Sequence, residues 1–273
     1  MWNVSTLKIL SWNVNGLRAV SKKGFLEWVM QENPDILCIQ ETKLSPDQLP
    51  LELRDVQGYY LYINSAVRKG YSGVALYTKY KPKEVKYSFG VEKFDIEGRI
   101  ILADYEDFLL CTLYFPNGQA SLERLEYKME FYEAFLAYLT CELRRGRRII
   151  ICGDVNTAHR EIDLARPKAN EQTSGFLPME RKWIDKLVSY GFVDTFRIFN
   201  QEPNHYTYWD MKSRARDRNV GWRIDYFFVD QALRDRLESA FILAEVTGSD
   251  HCPAGITIKV PEQCLLGRPE PRA

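Results

Sequence analysis

One stretch of the chain reads Ile149-Ile-Ile-Cys-Gly-Asp-Val-Asn156. Four consecutive apolar residues, without alternation, are typical of a strand that is covered on both faces. The polar side chains of Asp154 and Asn156 follow directly. Because α/β folds place ligand-binding groups beyond the carboxyl ends of their strands, the stretch predicts a buried strand that ends at a cleft.

Runs of the same kind recur along the chain and predict further strands. They are Leu7–Asn13, Ile36–Gln40, Tyr59–Ile63, Val74–Thr78, Ile100–Tyr105, Leu109–Phe115, Asp225–Val229, Phe241–Val246 and Gly255–Val260. Several of them are apolar throughout, which again favours strands that are buried on both faces.

Helical patterns lie between these strands. Ser121 is expected to cap a long helix, and Ser21 a shorter one that runs through Trp28. Pro178 and Gly191 mark the expected start and end of a third. The apolar residues of the long helix recur at a spacing of three and four, at Leu122, Leu125, Met129, Tyr132, Leu136, Leu139 and Leu143.

Strands and helices interleave, and no linker rich in Gly, Ser or Pro divides the chain. Residues 1–260 are therefore expected to form a single α/β domain whose sheets lie under helical cover. Residues 261–273 carry three prolines and are expected to be a flexible tail.

The composition is that of an ordinary globular protein, with 273 residues, 45% of them hydrophobic and 27% charged. The formal net charge is zero. Proteins that coat nucleic acids usually carry a large basic excess, so this class is disfavoured. An enzyme that acts on nucleic acid is not excluded, because a site built from carboxylates offsets basic residues elsewhere.

The amino-terminal residues show no basic segment followed by an apolar one, and no apolar run approaches the ~18 residues that span a bilayer. We expect a cytosolic protein without a membrane partner, not a secreted one, with a nuclear location if the source is eukaryotic. The six cysteines show no metal-ligand spacing. They are expected to be buried free thiols, which disfavours zinc.

Polar side chains recur at the ends of the predicted strands. They are Asn13, Asn15, Glu41, Asp154, Asn156, Asp225, Asp250 and His251. A single Asp or Asn in such a place is usually a turn former. Their repetition favours a shared site, because burying these groups together is costly without a cation. Carboxylate and amide oxygens without clustered His or thiolate favour Mg²⁺ or Mn²⁺, which act on phosphoesters.

His251 lies in a polar corner, residues 249–253, after a predicted strand. One interpretation is a capped turn. The alternative is a histidine that contacts a scissile phosphate and is oriented by a carboxylate, for which Asp225 is the candidate.

Residues 206–225 interleave aromatic side chains with cations. They include Tyr206, Tyr208, Trp209, Lys212, Arg214, Arg216, Arg218, Trp222 and Arg223. Cations such as Lys212 suit contacts with DNA phosphates, and aromatic residues suit a slot for a flipped or baseless nucleotide. The alternative is a solvated loop with packed tryptophans. The cluster at residues 144–148 is interpreted differently, as solvated arginines at a helix end.

Taken together, these residues closely resemble the exonuclease III family of apurinic/apyrimidinic endonucleases, within the deoxyribonuclease I-like superfamily. The matching segments are Leu10–Arg18, Ile39–Lys43, Lys69–Gly73, Tyr114–Asn117, Gly153–His159, Asn219–Tyr226 and Gly248–Pro253. They run in family order and cover nearly the whole chain before residue 261. Some members have Asp where this chain has Asn15, and others have a different aromatic residue where it has Tyr208.

The resemblance implies a four-layer α/β sandwich, with two mixed β-sheets packed face to face between helices. It implies that Glu41 is the main metal ligand, with Asn13, Asn15 and Asp250 around the ion. It implies that Asp154 activates or positions the attacking water and that Asn156 orients the water or the phosphate. It implies that Tyr114 and His251 bind the phosphate and that Asp225 pairs with His251. The implied DNA-contacting residues are Asn117 and Asn170 on the backbone, and Tyr208, Trp222 and Ile224 around a baseless sugar.

The implied activity is Mg²⁺-dependent incision of double-stranded DNA on the 5′ side of an abasic site, by a monomer. It extends to 3′-to-5′ exonuclease activity, to 3′-end cleaning and to incision at damaged nucleotides. One alternative is another superfamily enzyme, such as a non-specific nuclease, an inositol phosphate phosphatase, a sphingomyelinase or a poly(A) deadenylase. None of these enzymes is expected to have a segment that matches residues 219–226 with their aromatic pocket residues. A second alternative is a non-catalytic DNA-binding module.

Overall fold

The structure is a computed structural model, and it describes residues 3–265 and 267. Its strands are β1 (Val4–Asn13), β2 (Ile36–Gln40), β3 (Tyr60–Asn64), β4 (Val74–Thr78), β5 (Glu84–Lys86), β6 (Ile100–Asp104), β7 (Leu109–Tyr114), β8 (Ile149–Asp154), β9 (Phe192–Asp194), β10 (Asp225–Asp230), β11 (Leu237–Ile242) and β12 (Ala254–Pro261). They form two six-stranded sheets, in the orders β11-β12-β1-β2-β4-β3 and β5-β6-β7-β8-β10-β9.

The helices connect the strands along the sequence. They are α1 (Leu17–Ser21), α2 (Phe25–Glu32), α3 (Leu51–Arg54), α4 (Glu92–Asp95), α5 (Leu122–Arg144), α6 (Pro167–Asn170), α7 (Pro178–Ser189) and α8 (Thr195–Phe199). Helices α1 and α2 connect the parallel pair β1–β2, and α5 connects the parallel pair β7–β8. Parallel neighbours need such crossovers, whereas the other paired strands of both sheets are antiparallel.

Three apolar layers confirm the predicted four-layer α/β sandwich. Strand β8 shows why, because Ile150 and Cys152 lie in the core between the sheets, whereas Ile149 and Ile151 lie in the core under α5 and α7. Strand β1 divides in the same way between the inter-sheet core and the core under α1 and α2. Successive side chains point to opposite faces of a strand, so an unbroken apolar run fills both layers.

Most predicted element boundaries agree with the structure. The side chain of Ser121 accepts a hydrogen bond from the backbone N–H of Arg124 and caps α5. Pro178 is the first residue of α7, and Gly191 follows its end with a φ of 94°. The described residues extend past the predicted end of the domain: Pro261 completes β12 and residues 262–264 form a 3₁₀ turn. The rest of the predicted tail lies outside the described residues, apart from 265 and 267.

Several predictions about local structure are wrong. Ser21 ends α1, and Gly24, in a left-handed conformation, precedes α2. The strand predicted at residues 241–246 is β11, which ends at Ile242, so the last four residues belong to a loop. The predicted apolar stripe of α5 is confirmed at Tyr132, Leu136 and Leu139, which are buried, but it is wrong at Leu122, which is 69% exposed. The buried face also includes Phe131 and Phe135, which the predicted stripe leaves out.

The short edge strands β5 and β9 are not apparent in the sequence, since each has three residues. All six cysteines are free, but Cys141 is exposed and Cys264 is half-buried, contrary to expectation. Within residues 3–265 and 267, no helix combines the length and the apolar character needed to cross a bilayer.

Candidate functional site

The polar strand ends meet at one edge of the sandwich. In the second sheet, Asp154 pairs with Tyr114 on one side and with Asp225 on the other, so these three side chains share one level. In the first sheet, Asn13 is the last residue of β1 and lies beside the end of β2. Glu41 is the first residue after β2. The cleft at this edge has a volume of about 390 Å³ and is lined by Glu41, Tyr114, Asn117, Gln119, Asp154, Asn156, Ser174, Gly175, Tyr208, Asp210, Trp222, Ile224, Asp250 and His251.

Glu41, Asp154 and His251 converge in this cleft although they are far apart in sequence. One potential ligand atom from each lies within 4.8 Å of the other two. Asp154 and His251 are buried and Glu41 is half-buried. Such a group of two carboxylates and an imidazole is stable only if its charges are compensated by cations or hydrogen bonds.

Asn13 joins the two carboxylates. Its Nδ2 donates to Glu41 Oε1 at 2.8 Å and to Asp154 Oδ2 at 2.9 Å. Its Oδ1 accepts from the backbone N–H of Asn15 at 3.0 Å. Asn13 therefore fixes the separation of the two acidic groups across the gap between the sheets.

Asn15 connects Asp250 to the same group. Its Nδ2 donates to Asp250 Oδ1 at 3.0 Å, and its Oδ1 accepts from the ammonium of Lys43. Lys43 also forms an ion pair with Glu41, with a distance of 2.8 Å between Nζ and Oε2. The four predicted metal ligands, Glu41, Asn13, Asn15 and Asp250, thus lie in one hydrogen-bonded chain in which Lys43 supplies a positive charge.

His251 and Asp225 form the predicted pair. His251 Nδ1 lies 2.8 Å from Asp225 Oδ2, and both side chains are buried. His251 Nε2 faces Asp154, with a distance of 3.8 Å to Oδ2. The other oxygen of Asp225, Oδ1, has no hydrogen-bond partner among the described residues. The pair fixes the orientation of the imidazole and directs Nε2 into the cleft.

The charges of the group shift the pKa values in opposite directions. Burial, together with the carboxylates of Asp225 and Glu41, raises the pKa of Asp154 to about 7, although His251 opposes the shift. Burial alone would lower the pKa of His251, but Asp225 and Asp154 raise it to about 10. Burial also disfavours an ionised Glu41, but Lys43 and the hydrogen bond from Asn13 lower its pKa overall. The imidazole is therefore cationic at neutral pH, and Asp154 binds a proton more readily than an ordinary aspartate does.

Asn156 is held in a fixed orientation at the cleft wall. Its backbone N–H donates to Asp154 Oδ1 at 2.8 Å, its Nδ2 donates to the carbonyl of Phe115 at 2.9 Å, and its Oδ1 accepts from Asn117 at 3.0 Å. Its φ is 55°, and Asn15 and Glu41 have similar positive values. Backbone strain of this kind is retained where the surroundings impose it, often at functional sites.

A buried ion pair lies behind Asn156. Lys128 Nζ donates to the Asn156 carbonyl at 2.7 Å, to Thr157 Oγ1 at 2.9 Å and to Glu180 Oε1 at 2.6 Å. The same carboxylate accepts from the backbone N–H of Gly175 at 2.6 Å. Lys128 and Glu180 therefore connect two loops that line the cleft, and neither side chain is exposed.

Tyr114 contacts a buried arginine. The guanidinium carbon of Arg99 lies 4.8 Å from the centre of the Tyr114 ring, and Arg99 also donates to the Tyr114 carbonyl at 3.0 Å. Glu97 neutralises Arg99 at 2.6 Å. Burial and the nearby Glu41 raise the pKa of the Tyr114 hydroxyl, so the hydroxyl remains protonated and can donate a hydrogen bond.

Part of the cleft has an apolar wall. This apolar pocket is lined by Tyr208, Trp222 and Ile224, which pack with the buried side chains of Ala158, Leu164 and Phe176. The Tyr208 ring lies 4.9 Å from the imidazole of His251, and the Trp222 ring meets Phe176 edge to face at 6.4 Å. Charged and apolar walls therefore face the same cleft.

Two predicted DNA-contacting residues lie away from this cleft. Asn170 ends α6 and donates to the Arg166 carbonyl at 2.8 Å. Lys212 is exposed on the loop that precedes β10. Neither lines the cleft, so their contacts with DNA remain predictions.

The sequence did not indicate Lys43, Arg99, Lys128 or Glu180 as parts of the site. Lys43 ends one of the segments that resemble the family, which was a usable signal. Arg99 and Lys128 had no such signal, because charged residues are rarely buried completely and are normally assigned to the surface.

A second ion-pair network supports the strand that enters the pocket. Asp163 Oδ1 accepts from Arg223 at 2.8 Å and from Arg197 at 2.6 Å. Arg223 also pairs with Asp194 at 2.6 Å. Burial disfavours the charge on Asp163, but the two arginines lower its pKa to about 2. Residue 223 precedes Ile224, so the network fixes the start of the pocket wall.

Asp163→Asn is expected to reduce the free energy of unfolding by about 2–3 kcal/mol at pH 7 and by much less at pH 2. The folded pKa of Asp163 is below the ordinary value of about 3.9, so its ionised form stabilises the fold above that pH and loses its effect as the pH falls toward 2. Urea unfolding between pH 2 and pH 7 measures this. The exposed Asp235→Asn serves as a control, and equal pH dependence of parent and Asp163→Asn would refute the assignment.

Known nucleases resemble this chain over most of its length. A model of the endonuclease/exonuclease/phosphatase family matches residues 10–251. The chain belongs to this family. An exodeoxyribonuclease of Bacillus subtilis is 46% identical over 93% of this chain and 100% of its own length. The DNA repair nuclease APEX1 of Danio rerio is 43% identical over 94% of this chain and 83% of its own length.

A solved structure agrees with the endonuclease/exonuclease/phosphatase assignment. An AP endonuclease from Archaeoglobus fulgidus superposes with a TM-score of 0.84 at 28% identity, over 92% of this chain and 99% of that one. The resemblance to exonuclease III-type AP endonucleases is therefore confirmed. In this chain, acidic, amide and imidazole groups meet at one cleft.

Proposed function

We propose that the chain hydrolyses the DNA phosphodiester bond on the 5′ side of an abasic site, leaving a 3′-hydroxyl and a 5′-deoxyribose phosphate. The observation that carries this proposal is the convergence of Glu41, Asp154 and His251 beside an apolar pocket. The charged group suits a phosphoester, and the apolar pocket suits a sugar turned out of the helix. The names of the related nucleases support the same chemistry.

Mg²⁺ is the proposed cofactor, and Mn²⁺ is expected to substitute for it. The donors fit, because the cleft offers carboxylate oxygens, whereas its one histidine already uses Nδ1 to bind Asp225. The proposed metal-binding residues are Glu41, Asn13, Asn15 and Asp250. When bound, such an ion neutralises phosphate charge and makes a nearby water more acidic.

Asp154 is the proposed acceptor of the proton from the attacking water. Its two oxygens are fixed by Asn13 and by the backbone of Asn156, and burial raises its pKa to about 7. A carboxylate with this pKa binds a proton far more readily than an ordinary aspartate. The amide of Asn156 orients the water or the phosphate. Water then attacks phosphorus, the bond between phosphorus and the 3′ oxygen breaks, and the departing oxygen takes up a proton to become the 3′-hydroxyl.

His251 and Tyr114 are the proposed phosphate-binding groups. The carboxylate of Asp225 keeps the imidazole protonated, so Nε2 can donate to a phosphate oxygen. The Tyr114 hydroxyl donates as a neutral group beside the Arg99 guanidinium. Both contacts place positive potential where the phosphate gains charge in the transition state.

The remaining assignments concern double-stranded DNA. Asn117, Asn170 and Lys212 are proposed to contact the backbone, and Tyr208, Trp222 and Ile224 to line the pocket for the baseless sugar. We propose that residues 1–260 act as one domain and as a monomer. The exodeoxyribonuclease among the relatives favours an additional 3′-to-5′ exonuclease activity at the same site, because each reaction breaks the bond that leaves a 3′-hydroxyl.

A panel of labelled duplexes tests the proposed function. The duplexes share one sequence and contain an abasic site, a uracil, a blocked 3′ end or no lesion. We expect Mg²⁺-dependent incision of the abasic duplex at the 5′ side of the lesion, with slower trimming from 3′ ends. Inositol phosphates and phospholipids serve as controls. Turnover of one of these, with the abasic duplex left intact, would contradict the proposal.

A further inference from the structure

Tyr208 holds a fixed place between the pocket and the charged group. Its backbone N–H donates to the Trp222 carbonyl at 2.9 Å, and the Trp222 N–H donates back at the same distance. Its own ring packs 4.9 Å from His251. Two isolated β-bridges, to Trp222 and to His251, therefore fix the ring at the boundary of the pocket.

The Tyr208 hydroxyl has no hydrogen-bond partner among residues 3–265 and 267, while its ring lines the cleft. The other residues of the pocket are apolar except for the indole N–H of Trp222, which can only donate. Burial and the negative charges of Asp250, Asp210, Asp154 and Glu41 raise the pKa of Tyr208 to about 12. The hydroxyl is therefore protonated at neutral pH and can both donate and accept.

We propose that the Tyr208 hydroxyl recognises the C1′ hydroxyl of an abasic deoxyribose. This inference rests on the proposed function and names the sugar that the pocket prefers. Loss of a base leaves a hydroxyl at C1′, whereas an intact nucleotide carries its base at that carbon. The phenol can therefore exchange a hydrogen bond with the C1′ hydroxyl of a baseless sugar, a group that an intact nucleotide lacks. An analogue that lacks this group leaves the phenol unpaired, which lowers its transition-state binding.

Three substrates and three proteins test the inference. The duplexes are identical except for one position, which holds a natural abasic site, a tetrahydrofuran analogue without the C1′ hydroxyl, or deoxyuridine. The proteins are the parent, Tyr208→Phe and the control Tyr127→Phe. Tyr127 lies on the outer helix α5, where its hydroxyl donates to the Lys93 carbonyl. Single-turnover rates and duplex affinities are measured for each combination.

The parent is expected to cut the natural site roughly 3- to 10-fold more efficiently than the tetrahydrofuran site, the effect of one hydrogen bond. Tyr208→Phe should lose this preference by slowing on the natural site alone, and Tyr127→Phe should keep it. The inference is overturned if Tyr208→Phe keeps the preference, slows equally on both abasic duplexes or changes only the deoxyuridine duplex. A parent that cuts neither abasic duplex refutes the proposed function itself, which is a distinguishable outcome.

Discussion

Asp154→Asn is expected to lower the single-turnover rate on an abasic duplex by about 10²–10⁴-fold and to leave duplex affinity nearly unchanged. An amide has the size of the carboxylate but does not accept the proton of the attacking water. The contacts that bind the phosphate, from His251 and Tyr114, remain. Quenched-flow cleavage and fluorescence anisotropy with the same duplex separate the two effects.

The same substitution should change the stability of the protein little, because it removes a disfavoured buried charge but leaves one of two N–H donors, from Asn13 or Asn156, without an acceptor. Burial with Asp225 and Glu41 raises the pKa of Asp154 to about 7, above its ordinary value, so the ionised carboxylate opposes folding at neutral pH. Without added metal, the midpoint of thermal unfolding of Asp154→Asn should lie close to that of the parent, since the two effects oppose each other. Asp47→Asn, an exposed carboxylate outside the cleft, is the matched control. Cleavage by Asp154→Asn at the parental rate would remove Asp154 from its proposed role.

Glu41→Gln is expected to raise the Mg²⁺ concentration needed for half-maximal cleavage by at least about 10-fold, since even groups that only orient metal ligands affect affinity this much. Chelation of divalent ions should stop the parental reaction, and Mg²⁺ should restore it. Binding of Mn²⁺, followed by calorimetry without DNA, gives a readout that is independent of activity. It should weaken in parallel.

Lys43 gives a second reason to expect weaker binding of a cation by Glu41→Gln. Lys43 pairs with Glu41 at 2.8 Å, so the amide variant frees an ammonium that remains bonded to Asn15. The resulting excess positive charge further disfavours a cation at this site. Glu238→Gln, on the outer strand β11, is the control. Full cleavage in chelator, or unchanged Mn²⁺ binding by Glu41→Gln, would show that Glu41 does not hold the ion.

The sequence alone was sufficient for most central strands. The run Ile149–Cys152 specifies a strand because four apolar side chains in succession need burial on both faces, wherever the neighbouring strands lie. The same reasoning fails at β11, whose half-buried residues alternate weakly and contain an irregular pairing near Leu237. Three-residue edge strands such as β9 provide too short a pattern to detect.

The candidate site divides in the same way. Each polar residue after a strand was visible in sequence, and the resemblance supplied a role for it. The pair of His251 with Asp225 was predicted and is present at 2.8 Å. Nothing in the chain indicated that Arg99 lies against Tyr114 or that Lys128 supports Asn156, because these cations stand in segments that have no local feature of a site.

The sequence by itself determined most of the central strands, the longer helices and the chemical groups that end them, because apolar periodicity and turn chemistry act over a few neighbouring residues. The tertiary structure decided which of those groups meet. The Asn13 amide donates to Asp154, 141 positions away in the sequence. That contact exists only because the two sheets pack against each other with the ends of β1 and β8 close together. Their packing also removes water from the site, which is the physical cause of the raised pKa of Asp154.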